Sequence, residues 1–148
     1  MQVSIREATQ EDLFDLLVLG RDFSREAGHM HRFDKQKTAE VMAGLIESDQ
    51  GCIYVMEDDG FIVGAIVGLV NQMPFGTHPV ATELAWFVHE KFRGNKQSLL
   101  LVSAFEEWAK SVGAEYVVMA HIHTINNLEK VYTKLGYEPA ETAYAKRI

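Results

Sequence analysis

Residues 83–112 read ELAWFVHEKFRGNKQSLLLVSAFEEWAKSV and predict a strand, a short polar turn and a long helix. The alternating segment from Glu83 to Val88 is typical of a strand. The helix is predicted by apolar residues at helical spacing, namely Leu101, Phe105, Trp108, Ala109 and Val112. The turn places residues 93–98, Arg-Gly-Asn-Lys-Gln-Ser, at the helix start, where unpaired N–H groups and the helix dipole favour an anion. A phosphate-bearing ligand is one interpretation, and the other is an ordinary strand–turn–helix, which also needs a glycine and a polar cap.

The composition excludes one class of function. The 148 residues are 47% hydrophobic and 24% charged, which is ordinary for a globular protein, and the length predicts one domain over residues 1–148. The 14 Lys and Arg residues against 21 Asp and Glu residues give a formal net charge of −7. Because non-specific nucleic-acid binding requires a basic surface, we expect no nucleic-acid partner.

The sequence carries no signal for export, membrane insertion or metal binding. No apolar run approaches the ~20 residues that a membrane-spanning helix needs, and the N-terminal residues lack the regions of a signal peptide. Cys52 is the sole cysteine and cannot form an internal disulfide. His29 and His31 lie two residues apart in a loop-like segment, which without a further ligand is weak evidence for a metal. We expect a cytoplasmic protein without a metal or a membrane partner.

The chain before residue 83 predicts a strand, two helices and a hairpin. Val3 and Ile5 alternate with polar residues in a first strand, and the capping-box spacing from Thr9 to Asp12 introduces a first helix. A second amphipathic helix follows. Two apolar, β-branched runs joined through Asp-Asp-Gly at residues 58–60 predict the hairpin.

The chain after the long helix predicts further strands and a last helix. Residues 115–123 have the composition of a buried strand, and Asn126 or Asn127 then caps a helix that Gly136 ends. Residues 137–139 and 142–148 are short extended pieces, so the order is β-α-α-β-β-β-α-β-α-β-β. We expect an α/β (α+β) fold with a mixed, mostly antiparallel sheet of six or seven strands and about four helices on both faces.

Two motifs carry a resemblance to a known family. The first is the strand-turn-helix whose strand and turn end in Val88-His89-Glu90-Lys91-Phe92-Arg93-Gly94. The second is Asn126-Asn127-Leu128-Glu129-Lys130-Val131-Tyr132-Thr133-Lys134-Leu135-Gly136-Tyr137. Together with the element order, they resemble the GNAT superfamily of acyl-CoA-dependent N-acetyltransferases over essentially the whole chain. The first looks like that family's strand 4, pyrophosphate loop and helix 3, and the second like its strand 5 to helix 4 segment.

The pyrophosphate loop departs from the family pattern at two positions and is a degenerate version of it. The pattern is Arg or Gln, two residues, Gly, one residue, then Gly or Ala, whereas this sequence has Lys96 and Ser98 at the last two defined positions. A backbone cradle survives without those glycines if the local φ values are negative, as at a normal helix start. The Lys96 side chain could add charge to a pyrophosphate or to the adenosine 3′-phosphate. It could equally mark a loop that no longer binds coenzyme.

The resemblance implies a co-substrate and the residues that bind it. The co-substrate is acetyl-CoA, and the acceptor is a primary amine of a small molecule or a protein that attacks directly. Pantetheine would pair with the free edge of the strand near Val88, whose N–H would also polarise the thioester carbonyl. Homodimers are common in the family. The implied coenzyme-binding residues are Phe87, Val88, Arg93, Gly94, Asn95, Lys96, Gln97, Ser98, Asn127 and Tyr132.

The resemblance also implies catalytic roles. Tyr132 stands where many members place a tyrosine that protonates the departing sulfur, and a phenol of pKa ~10 suits a thiolate leaving group. Its other interpretation is a residue that completes the apolar face of the last helix. Glu83 and His121 are two candidates for the base, with Glu83 ranked slightly ahead. The alternative function is a non-catalytic acyl-CoA-binding or protein-interaction module on the same fold.

Overall fold

The computed structural model describes residues 2–28, 30 and 32–148, and its elements follow the predicted order through the last helix. The strands are β1 (Val3–Glu7), β2 (Gly51–Asp58), β3 (Phe61–Gln72), β4 (Pro79–Val88) and β5 (Tyr116–Val118). The helices are α1 (Leu13–Ala27), α2 (Lys35–Glu47), α3 (Leu99–Ser111) and α4 (Glu129–Lys134). Short 3-10 turns lie at Gln10–Asp12, Glu90–Phe92 and Lys96–Ser98. Across the described residues, no helix is long and apolar enough to cross a membrane.

The strands form one sheet in the order β1-β2-β3-β4-β5. The first four strands pair antiparallel, and β5 pairs parallel to β4. The hairpin predicted between β2 and β3 turns at Asp59 and Gly60, whose φ angles are +51° and +81°. Two positive φ values are what a two-residue type I′ hairpin requires. The mixed, mostly antiparallel sheet is therefore confirmed.

Helices cover both faces of the sheet, as predicted. On one face, Leu101 and Phe105 of α3 are fully buried against the middle strands. On the other face, Leu16 and Leu19 of α1 pack in a second apolar cluster with residues of β2, β3 and β4. A Cβ at Gly68 of β3 would collide with the ring of Phe105, so glycine there permits the close approach of α3 to the sheet.

The prediction of six or seven strands was wrong, because the described residues form five. The strand predicted over residues 115–123 forms only at Tyr116–Val118, and residues 138–148 are exposed and contain no strand. The alternation of Tyr144, Lys146 and Ile148 suggested a further strand. An alternating pattern shows which face a strand would bury, but a strand also needs a neighbour to receive its hydrogen bonds. β5 is only three residues long, and within the described chain residues 138–148 have no neighbouring strand to receive their hydrogen bonds.

Candidate active site

β4 and β5 run together for three residues and then separate. β5 pairs with residues 80–82 of β4, so within the described chain β3 is the sole strand partner of the next segment, from Glu83 to Val88. A β-bulge leaves Leu84 without a partner on β3 and adds local twist. We call the segment from Glu83 to Val88 the open edge of β4. It is the free strand edge that the sequence motifs implied.

The open edge presents the backbone N–H of Val88. The N–H of His89 donates to the carbonyl oxygen of Val63 on β3 at 2.7 Å. Since successive strand residues direct their backbone groups to alternate sides, those of Val88 point away from β3. The Arg93 Nε, which donates to the Val88 carbonyl oxygen at 2.6 Å, agrees with this direction. By the same alternation Phe87 directs its backbone groups to β3, and its side chain is buried.

The Arg93 side chain is held by the protein itself. Besides its bond to Val88, its Nη1 and Nη2 donate to the two carboxylate oxygens of Glu26 in α1, at 2.9 and 2.6 Å. The guanidinium carbon lies 4.9 Å from the centre of the Phe87 ring. The Arg93 backbone N–H donates to the carbonyl oxygen of Glu90 at 3.3 Å. The side chain of Arg93, a residue predicted to bind coenzyme through its backbone, therefore joins the C-terminal end of α1 to the end of β4.

The turn before α3 is partly capped by its own asparagine. Asn95 Oδ1 accepts the N–H groups of Gln97 and Ser98 at 3.0 and 3.2 Å, and Ser98 Oγ donates to the Asn95 carbonyl oxygen at 2.8 Å. Gly94 has a φ of +78°, a conformation that favours glycine. Among residues 2–28, 30 and 32–148, the N–H groups of Gly94, Asn95 and Lys96 have no hydrogen-bond partner. In the predicted phosphate-binding turn, the first three of these N–H groups are thus free, and Asn95 occupies the next two.

The structure brings Glu83 and Tyr132 to the same residue. Glu83 Oε1 accepts the N–H of Ala120 at 2.9 Å, and the Tyr132 hydroxyl donates to the Ala120 carbonyl oxygen at 2.6 Å. Ala120 lies in the segment that follows β5, on the far side of the opening from β4. The tyrosine ring packs 6.2 Å from Trp86 and 5.7 Å from Tyr137, between centroids. The predicted base and the predicted acid are therefore neighbours.

Burial tunes both groups. It raises the pKa of Glu83 to about 7, although the N–H of Ala120 opposes the shift by stabilising the carboxylate. Burial, followed by the nearby charge of Glu83, holds the pKa of Tyr132 well above its usual range. Near neutral pH, Glu83 can therefore accept a proton, and Tyr132 keeps its own.

The other predicted residues are placed differently. His121 lies beyond the end of β5 with its ring 5.5 Å from that of His123. Among the described residues, the hydrogen bonds that join Glu83, Ala120 and Tyr132 do not include it. The prediction that Asn126 or Asn127 caps the last helix was wrong, because Leu128 is the N-cap residue, although Asn127 Oδ1 accepts the Glu129 N–H at 2.9 Å from just outside the helix.

Neither a covalent cysteine route nor a metal cluster is found in the described chain. Cys52 is buried on β2, and burial raises the pKa of its thiol to about 12, so it stays protonated. His29 and His31 lie outside the described residues. Within the described ones, no group of three or more His, Cys, Asp and Glu side chains could hold a metal ion.

Sequence reasoning missed three residues at this site. Glu26 lies 67 residues from Arg93, and no local sequence pattern predicts a partner so distant. Ala120 acts through its backbone, which a residue type does not reveal. The indole N–H of Trp86 is buried without a hydrogen-bond partner among the described residues. An unpaired buried N–H beside Tyr132 was not predicted, because Trp86 was interpreted as an ordinary core residue.

The sequence matches a family profile over most of its length. The profile, described as the acetyltransferase (GNAT) family, matches residues 11–137. No curated protein matches the sequence.

Solved structures with the same fold cover almost the whole chain. Ribosomal-protein-alanine N-acetyltransferase from Brucella melitensis biovar Abortus 2308 has a TM-score of 0.79 at 16% identity, with 100% of both chains covered. Aminoglycoside N-acetyltransferase AAC(6')-Iy in complex with CoA has a TM-score of 0.80 at 19% identity, over 99% of this chain and 95% of that one. Glucosamine-6-phosphate N-acetyltransferase from Arabidopsis thaliana has a TM-score of 0.77 at 15% identity, with 99% of both chains covered. At these identities the likeness concerns the fold.

Proposed function

The chain belongs to the GNAT acetyltransferase family, and on that basis we propose that it transfers an acetyl group from acetyl-CoA to a primary amine by direct attack. The observation that carries the proposal is the pair of side chains on Ala120. Glu83 is a carboxylate whose pKa lies near neutrality, and Tyr132 is a buried phenol that keeps its proton. Glu83 is the first residue of the open edge of β4, and Tyr132 packs beside Trp86 of the same edge.

Acetyl-CoA would lie along this open edge. The pantetheine amides would pair with the backbone groups of Trp86 and Val88 that point away from β3, as an added strand does. The pyrophosphate would meet the free N–H groups of Gly94, Asn95 and Lys96 at the start of α3. To engage the next two N–H groups as well, it would have to displace the Asn95 side chain.

The chemistry needs a neutral amine, a polarised carbonyl and a proton for sulfur. Glu83 takes a proton from the ammonium, directly or through water, and its second carboxylate oxygen has no partner among the described residues. The amine nitrogen then bonds to the acetyl carbon, and the Val88 N–H stabilises the charge on the oxygen. As the C–S bond breaks, its electron pair stays on sulfur, and Tyr132 donates a proton there. The new amide nitrogen loses its extra proton through water, which restores the phenol.

The acceptor class is tested with the amines that the structural neighbours' names specify. A panel of an aminoglycoside, glucosamine 6-phosphate and a peptide with an N-terminal alanine covers three kinds of primary amine. Release of the free CoA thiol is measured with each amine and without amine. We expect amine-dependent release that is lost in Tyr132→Phe. Release that is equal without amine, or unchanged in the variant, would contradict the proposal.

Two observations favour the alternative of a non-catalytic module. Asn95 occupies two N–H groups of the cradle, and Glu26 occupies the Arg93 guanidinium. A chain that no longer binds coenzyme would tolerate both arrangements. A non-catalytic module, whether or not it binds acyl-CoA, would show no amine-dependent release of the CoA thiol, so the same assay separates the two functions. Formation of a homodimer and a cytoplasmic location remain predictions.

A further inference from the structure

Arg93 holds one peptide group of the open edge in place. The peptide group between Val88 and His89 is bound from both sides. Its carbonyl oxygen accepts from Arg93 Nε at 2.6 Å, and its N–H donates to Val63 of β3 at 2.7 Å. The Val88 N–H belongs to the adjoining peptide group, so its direction depends on backbone torsions that these two bonds restrain. A hydrogen-bond donor acts on developing charge best when it is fixed beforehand.

Glu26 holds Arg93 in turn. Two hydrogen bonds join the guanidinium to the carboxylate in a bidentate pair, which adds geometric specificity as well as energy. The bond from Arg93 lowers the pKa of Glu26, so that the carboxylate remains ionised. The Arg93 side chain is 28% exposed and that of Glu26 is 39% exposed. The pair fixes the direction of the guanidinium group, whose Nε binds the Val88 carbonyl oxygen.

The C-terminal end of α1 contacts both sides of the opening between β4 and β5. Glu26 reaches the β4 side through Arg93. The next residue, Ala27, accepts a hydrogen bond from Thr124 Oγ1 at 2.9 Å, and Thr124 belongs to the segment between β5 and α4. A displacement of this helix end would therefore disturb contacts on both sides of the opening.

We propose that Arg93, oriented by Glu26, is a positioning residue that fixes the Val88 N–H for the thioester carbonyl, and that it is not a ligand of the coenzyme phosphates. This inference rests on the proposed function. A phosphate would have to compete with a carboxylate already bound in bidentate fashion. The exposed Lys96 side chain has no charged partner among the described residues and is left for that role.

The first test measures amide hydrogen exchange in the free protein, over peptides that cover residues 86–92. The variants are Glu26→Gln and Arg93→Lys. The matched control is Asp22→Asn, which removes another ion-paired carboxylate of α1 that faces Arg21 and Arg25 instead. We expect at least threefold faster exchange at His89, whose N–H is bound to Val63, in both variants, with the control like wild type. Unchanged exchange in Glu26→Gln would overturn the positioning role, whether or not the protein has transferase activity.

The second test separates kcat from coenzyme affinity. We expect Arg93→Lys and Glu26→Gln to lower kcat about tenfold, because a small misplacement of a catalytic group is costly, and to leave the Kd for CoA within twofold. If Arg93 were a ligand of the coenzyme phosphates, the effects on kcat and Kd would be reversed. Arg93→Lys would then change the Kd with kcat intact, and Glu26→Gln would tighten CoA binding by releasing the guanidinium. That result would overturn the inference, whereas wild-type protein without turnover would count against the proposed function alone.

Discussion

Glu83 and Tyr132 bind the two ends of one residue. The Glu83 carboxylate accepts the N–H of Ala120 at 2.9 Å, and the Tyr132 hydroxyl donates to its carbonyl oxygen at 2.6 Å. The two side chains come from β4 and α4, which are far apart in sequence. Ala120 thus sets the spacing between the proposed base and the proposed acid.

Tyr132→Phe removes the proposed acid together with its hydrogen bond to Ala120 and keeps the aromatic ring. We expect kcat to fall about 10²-fold or more, within the usual range for general acid catalysis, while the Kd for acetyl-CoA stays unchanged. The matched control is Tyr137→Phe. Tyr137 packs beside Tyr132, but its hydroxyl donates to Glu106 at 2.7 Å rather than to Ala120. The control variant should lower the melting temperature and spare kcat. Equal losses of kcat in the two variants would show that Tyr132 is structural.

The pH dependence of kcat/KM identifies the base. Because Glu83 must be ionised to accept a proton and its pKa is about 7, we expect kcat/KM to rise with pH and level off above pH 7. Glu83→Gln should lose about 10²-fold in activity. His121→Gln should retain the wild-type midpoint. A midpoint that persists in Glu83→Gln and disappears in His121→Gln would assign the base to His121 instead.

Glu83 also links stability to pH. Its folded pKa of about 7 lies above the ordinary value of 4.5, so the folded state binds the proton more tightly than the unfolded state. Glu83 therefore favours folding at low pH. This stabilising contribution is lost as pH rises from about 4.5 to 7, and above pH 7 the ionised carboxylate destabilises the folded state to its full extent. At pH 8 the two pKa values lead us to expect that Glu83→Gln is more stable by about 3 kcal/mol, or roughly 6–12 °C in melting temperature. At pH 5 the difference should fall below about 1 kcal/mol, and an equal difference at both pH values would refute the assignment.

Asn95→Ala tests whether the cap of α3 competes with the coenzyme. The asparagine oxygen occupies the N–H groups of Gln97 and Ser98, which a pyrophosphate would also bind. We expect CoA to bind a few-fold more tightly to the variant. The free energy of unfolding should fall by about 1 kcal/mol, because a helix cap is lost. Weaker CoA binding in calorimetry would show that Asn95 supports the ligand instead.

The sequence predicted most of the fold because local patterns encode it. The Asp59-Gly60 turn and the apolar face of α3 are each visible within a few residues. Residues 137–139 and 142–148 were assigned strands because alternation does not show whether a partner strand exists.

Residue type and motif position were enough to single out Glu83, Val88 and Tyr132, which the structure places around one opening and whose roles stay predictions. The bonds from Arg93 to Glu26 and from Tyr132 to Ala120 depend on tertiary packing. No spacing in the chain encodes them.

Calorimetric titration of the protein with acetyl-CoA, with dephospho-CoA as the comparison ligand, tests the central claim most directly. We expect micromolar binding that weakens when the 3′-phosphate is lost. In Lys96→Ala we expect about tenfold weaker binding, as for loss of one charge-assisted phosphate contact, whereas Lys110→Ala, an ion-paired lysine of α3, should match wild type. Absence of detectable binding at millimolar acetyl-CoA would contradict the account. The fold would then remain without the chemistry of its family.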